Sequence, residues 1–187
     1  MKTRFYVLLL ILSALLDDFL SLYIPADFRY QSYSFVPHFC FAAMLVIVCS
    51  RDWKDRLLIG SLVGILTDYF FTISFPTYFI LYALLAFASG LLYQFMDDSR
   101  LQAAILWGIS LFVDLIPYWF YHLIGKLNVS FGMWFLHFET ATLIVNAIAV
   151  CLMVYVVHVY DRYQMIQSVR QKKADKRKIR NLKLSRK

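Results

Sequence analysis

Five acids stand inside otherwise apolar stretches of this chain: Asp17, Asp18, Asp68, Asp114 and Glu139, accompanied by His38, His122 and His137. An ionised side chain at the centre of a bilayer costs about 2.5 to 3.5 kcal/mol on insertion scales, so such acids mark proton relays, ion paths, buried bonds or docking points. No Lys or Arg lies in the same stretches to neutralise them. They must be protonated, hydrogen-bonded across helices, hydrated, or paired with a group from another molecule. Enzymatic spacing is absent, with no HExxH, GxSxG or HxxxH. Cys40, Cys49 and Cys151 fall in apolar runs without CxxC spacing, which reads as small buried hydrophobes rather than a disulfide framework or zinc site. The residues therefore indicate no catalytic group, no cofactor site and no metal site.

The elements that position these acids follow from composition. Hydrophobic residues make up 61% of the 187 and charged residues 17%, with 17 Phe, 13 Tyr and 4 Trp; soluble domains run at roughly 45 to 50% and about 25%. The excess predicts an all-α polytopic membrane protein. Because a span takes roughly 17 to 25 apolar residues, six are expected, at about 5–24, 33–49, 57–74, 76–95, 101–124 and 131–160. Pro76 opens the fourth, as proline does in a first helical turn. The sixth stretch exceeds one perpendicular span, which places Trp134 and Phe135 along the interface. Lys2 and Arg4 before an apolar run suggest a signal peptide, but Asp17 and Asp18 interrupt it and no cleavage site follows, so it reads as the first span.

Charge orients the spans. Residues 161–187 hold 11 Lys or Arg against 2 Asp, a net +9, which leaves residues 1–160 with 8 basic and 10 acidic residues, a net −2. The overall +7 thus belongs to a tail, and nucleic-acid binding by the body is excluded. Lys2, Arg4, Arg51, Lys54, Arg56, Arg100 and the tail fall on one side, whereas only Arg29 and Lys126 fall on the other. Since positive residues resist translocation, both termini are expected in the cytoplasm of a multi-pass inner-membrane protein. In that orientation all five acids map to the outer half: Asp17, for instance, lies seven residues before Ile24, about 10 Å at 1.5 Å per residue. Asp17, Asp18, His38, Asp114 and Glu139 are the candidate outer polar layer.

The most specific pattern is in the third and fourth spans. Gly60, Gly64 and Asp68 recur every four residues on one helix face, a GxxxG spacing that allows close helix approach. A turn through Pro76 follows, and then a helix with Tyr82, Ala83, Ala86 and Gly90. Packing is the default meaning of such small-residue faces; the acid and the proline turn make this hairpin more specific.

This run, Gly60-Ser-Leu-Val-Gly64-Ile-Leu-Thr-Asp68-Tyr-Phe-Phe, then Pro76, then Leu81-Tyr82-Ala83-Leu84-Leu85-Ala86-Phe87 and Gly90, resembles the rod shape-determining protein MreD family. The family's turn is usually glycine-bearing beside the proline, whereas Thr72, Ser74 and Thr77 stand here. The resemblance implies a non-enzymatic membrane scaffold of the bacterial cell-elongation machinery, supporting rod shape and peptidoglycan synthesis. Its implied partner is an MreC-like bitopic membrane protein and, through it, MreB and peptidoglycan synthases. Gly60, Gly64, Asp68, Pro76, Tyr82, Ala86 and Gly90 become candidate packing or partner-binding residues. The family fold is similar to the S components of ECF vitamin transporters, which supplies the alternative of a substrate-binding component with a pocket at the outer face. Against it, Ser13 and Ala14 lead into Asp17 and Asp18 rather than a small-xxx-small docking face.

Beyond Asp161 the apolar content collapses, and Arg170, Lys172, Lys173, Lys176, Arg177 and Lys178 cluster. Each contributes about 1 kcal/mol of attraction near an anionic leaflet, so the tail is expected to bind anionic lipids or dock a cytoplasmic partner. Helix is predicted to about Gln171, with disorder beyond.

Overall fold

The computed structural model describes residues 2–27, 32–71 and 77–184, with side chains for 3–27, 32–70 and 77–173. It is helical, without strands among these residues: α1 (Lys2–Tyr23), α2 (Phe39–Val48), α3 (Trp53–Phe71), α4 (Thr77–Leu92), α5 (Ser99–Leu123), a short α6 (Phe131–Trp134), a π-turn (Phe135–Glu139) and α7 (Thr140–Leu184). Two units are distinguished, Met1–Val154 and Tyr155–Lys187. Four stretches are long and apolar enough to cross a membrane: Thr3–Tyr23, Thr77–Phe95, Ser99–Leu123 and Phe131–Lys173.

The centre of the first unit is α2. Its sequence, FCFAAMLVIV, is apolar on every face, and it packs against α1, α3, α4 and α5. A helix apolar all round has no solvent face to present and is buried in a core. Nine of its ten residues are buried, and Phe41 meets the Tyr82 ring of α4 at 4.6 Å.

A helix over 33–49 is expected from hydropathy alone, but residues 33–38 form no regular secondary structure and α2 starts only at Phe39. Ten residues reach about 15 Å, half of a bilayer core. Pro37 is one cause, since proline disfavours helix in the residue before it. The other is an alternative set of partners: Ser34 N donates to the His137 carbonyl at 2.9 Å and Val36 N to Thr142 Oγ1 at 3.1 Å. Irregular backbone inside an apolar body persists only where protein groups satisfy it in this way.

Glycine and proline shape the rest. Gly125 ends α5 at φ 75; its N–H donates to the His122 carbonyl and that of Lys126 to Tyr121, a Schellman closure needing a left-handed residue. The loop and α6 fold over the end of α5, where Tyr118, Trp134 and Phe138 form a buried cluster. Trp134, expected at the interface, is instead 2% exposed and stacked on Tyr118 at 4.5 Å.

In the second unit, α7 is helical to Leu184 rather than to Gln171. Arg170, Lys172 and Lys173 are exposed there. The side chains of Lys176, Arg177 and Lys178 lie outside the described residues, as do Arg29 and the turn through Pro76.

Candidate functional site: acids at helix ends and a buried polar cluster

Asp68 sits at the end of the small-residue face of α3, and the first turn of α4 closes on it. Its two carboxylate oxygens accept the N–H of Tyr78 at 3.0 Å and of Phe79 at 2.8 Å. The first N–H groups of a helix have no partner within it, and an anion there is also favoured by the helix dipole. Asp68 is therefore a cap delivered from a neighbouring helix. The residue is 2% exposed, so the bonds form away from competing water, where charge-assisted bonds are strongest.

Such a cap requires the backbones to come close, and the glycines allow it. A Cβ at Gly64 would meet the Tyr78 carbonyl and approach Phe79 Cα to 2.7 Å. At Gly60 it would stand 2.8 Å from the Tyr82 carbonyl and 2.9 Å from Ala86 Cβ. Gly60, Gly64, Tyr82 and Ala86 are thus one packed face, α3 against α4, and Tyr82 continues inward to Phe41. Gly90 is covered instead by the Arg56 guanidinium, whose Nε donates to the Arg51 carbonyl at 2.6 Å.

Asp17 repeats the device. From α1 its oxygens accept the N–H of Phe39 and of Cys40, each at 2.8 Å, at the start of α2. The sequence carries a signal for this equivalence that is easy to pass over: Asp17 precedes Pro25 by eight residues, as Asp68 precedes Pro76. Ser13 stands where Gly64 stands, four residues before the acid, and turns its hydroxyl back onto the Leu9 and Leu10 carbonyls. A hydroxyl so satisfied faces a neighbour without leaving a buried donor unpaired.

The remaining acids separate. His38 Nε2 and Asp114 Oδ2 are 2.9 Å apart, both buried, in a hydrogen bond joining the entry of α2 to α5. Glu139 is fully buried at 0% exposure and within electrostatic reach of Asp114 and His38. The π-turn that ends at Glu139 inserts one extra residue; such bulges recur at functional positions. Below it Thr142 and Asn146 continue the same face of α7, both buried. Neither oxygen of Glu139 nor either end of the Asn146 amide has a hydrogen-bond partner among the described residues. Thr142 and Asn146 were not legible as site residues, although their spacing from Glu139, three and seven, is a helical stripe.

Of the expected polar layer, Asp17, His38, Asp114 and Glu139 are therefore brought together around the start of α2, and Asp18 is not: it is exposed on the far side of α1. His122 is exposed and His137 half-buried, their Nδ1 atoms on the Leu127 and Met133 carbonyls. Among the described residues no three His, Cys, Asp or Glu side chains are arranged to hold a metal ion. The chemistry available is hydrogen bonding and charge pairing that fixes helices to one another.

The family model described as rod shape-determining protein MreD matches residues 1–164. No curated protein and no solved structure matches the chain.

Proposed function

Because the chain belongs to the rod shape-determining MreD family, with its role in bacterial cell shape, we propose that it acts as a non-catalytic scaffold of the elongation machinery in the inner membrane. Its partner in this reading is an MreC-like single-span protein, through which MreB and the peptidoglycan synthases are engaged. The observation that supports a scaffold is the use of its acids. Asp17 and Asp68, the residues a transport path would offer to a cargo, each hold the first turn of a neighbouring helix. The family match lends nothing to the vitamin-transporter alternative.

Six crossings with both termini in the cytoplasm complete the proposal. Four helices meet the length and apolarity of a span; α3, with Lys54, Asp55 and Arg56 in its first turn, and the irregular entry plus α2 supply the other two. The basic tail then lies on the cytoplasmic leaflet, whose anionic lipids attract it.

The test is co-purification of the MreC-like protein with the tagged full-length chain from bacterial membranes. Wild type should retain it, and Gly64→Leu, which wedges α3 from α4, should lose it. Absence of the partner from wild-type preparations would refute the scaffold reading.

A further inference from the structure

One face of α1 carries a pattern that the scaffold core does not use. Arg4, Leu8, Ile11, Leu15, Asp18 and Leu22 are all exposed and alternate at spacings of four and three residues. That is the a/d repeat with which one helix packs along another. Apolar members of such a seam are ordinary on a lipid-facing helix, but Asp18 is not. It lies five residues before the end of α1 at Tyr23, about 7.5 Å along the axis, flanked by the exposed Leu15, Phe19 and Leu22. With a single methylene it cannot reach to the interface as Lys and Arg do. It makes no hydrogen bond or ion pair among the described residues, whereas its neighbour Asp17, turned inward, makes two.

We propose that this seam docks one membrane-spanning helix of another protein, which sets a Lys, Arg or other hydrogen-bond donor opposite Asp18. The proposal rests on the scaffold reading and names the face that its partner would use. Charge decides between occupants. A second copy of this chain in the same membrane orientation would pair through a two-fold axis, bringing Asp18 against Asp18 and Arg4 against Arg4, and like charges exclude such a partner. A parallel helix with a donor near its outer end and an acceptor near its cytoplasmic end matches both. Arg4 and Asp18 are 14 residues apart, two heptads, so the partner's complementary pair should carry the same spacing. A polar residue at one core position of a seam fixes register.

The test places a photo-crosslinking amino acid at Leu15, Leu22 or, as an exposed position on another helix, Ile148 of the full-length chain, co-expressed with the MreC-like single-span protein. Capture of that protein from Leu15 and Leu22 but not from Ile148 is expected. Asp18→Leu should lower the co-purified partner about tenfold, equivalent to about 1.4 kcal/mol, and Asp18→Asn, which keeps an acceptor, should lower it less. Asp18→Lys should be rescued when the partner's basic residue is exchanged for Asp. If wild type co-purifies the partner while Asp18→Leu and Asp18→Asn retain it fully, the seam is overturned and the scaffold reading stands. Capture of a second copy of this chain from Leu15 would also overturn the proposal. If wild type co-purifies nothing, the scaffold reading itself has failed.

Discussion

Replacing Gly64 by Ala puts one methyl group between α3 and the first turn of α4. The new carbon would stand 2.7 Å from Phe79 Cα and 2.8 Å from the Tyr78 carbonyl carbon, where carbon pairs prefer about 3.5 to 4.0 Å. The helices must therefore part by about 0.8 Å at this point. The obstacle is backbone, so no side chain can rotate out of the way. The same turn donates the two bonds to Asp68, now 3.0 and 2.8 Å long, and that separation takes both beyond the usual hydrogen-bond range. Overpacking costs about 1 to 3 kcal/mol and a weakened bond to a charged group about 1.5 kcal/mol or more, so a loss of about 3 kcal/mol is expected. Thermal unfolding of the purified protein in detergent measures it, with two references. At Gly60 the nearest atoms are 2.8 to 3.1 Å away and include one Ala methyl, so Gly60→Ala should be milder. At Gly108 nothing lies within 4 Å, and Ala there should be neutral or stabilising by helix propensity. Combining Gly64→Ala with Asp68→Ala should cost less than the two singly, since both act on one contact. If Gly64→Ala melts with Gly108→Ala, or adds fully to Asp68→Ala, the capped close approach is wrong.

Asp68→Asn and Asp17→Asn each keep one acceptor but lose the charge, and each should lower stability by about 1 to 2 kcal/mol, read as a drop in melting temperature; an unchanged value for both would remove the caps from the account. Glu139→Gln preserves shape and breaks no hydrogen bond to a described residue, so it should insert and melt within about 1 kcal/mol of wild type. Glu139→Lys, a longer cation in a fully buried position, should abolish accumulation in the membrane. Deleting residues 170–187 should leave insertion and orientation intact, because Lys2, Arg4, Arg51, Lys54, Arg56 and Arg100 remain, while reducing binding of anionic vesicles; undiminished binding would show that the tail does not meet the leaflet.

Some of this was legible in the sequence and some was not, for physical reasons. The α3–α4 hairpin could be read because small residues four apart must share a face, and a GxxxG ending in an acid has few other uses. The different fates of Asp17 and Asp18 could not be read. Adjacent residues differ by about 100° around a helix, and only the position of α2 decides which of them points inward. The extent of the break before α2 is hidden as well: Pro37 marks it in the sequence, but the irregular course from Tyr33 to His38 depends on the His137 carbonyl and the Thr142 hydroxyl, about a hundred residues away. Trp134 shows the same limit from the other side. An aromatic near a span end reads as an interface anchor, but Tyr118 and Phe138 bury it.

The most direct test of a shape-determining scaffold held together by its acids is the shape of rod cells depleted of their own family member and supplied with this chain. Wild type should restore rods, and Asp68→Ala, at equal abundance in the membrane, should leave the cells rounded. Rods maintained by Asp68→Ala as well as by wild type would contradict the role given to the Asp68 cap.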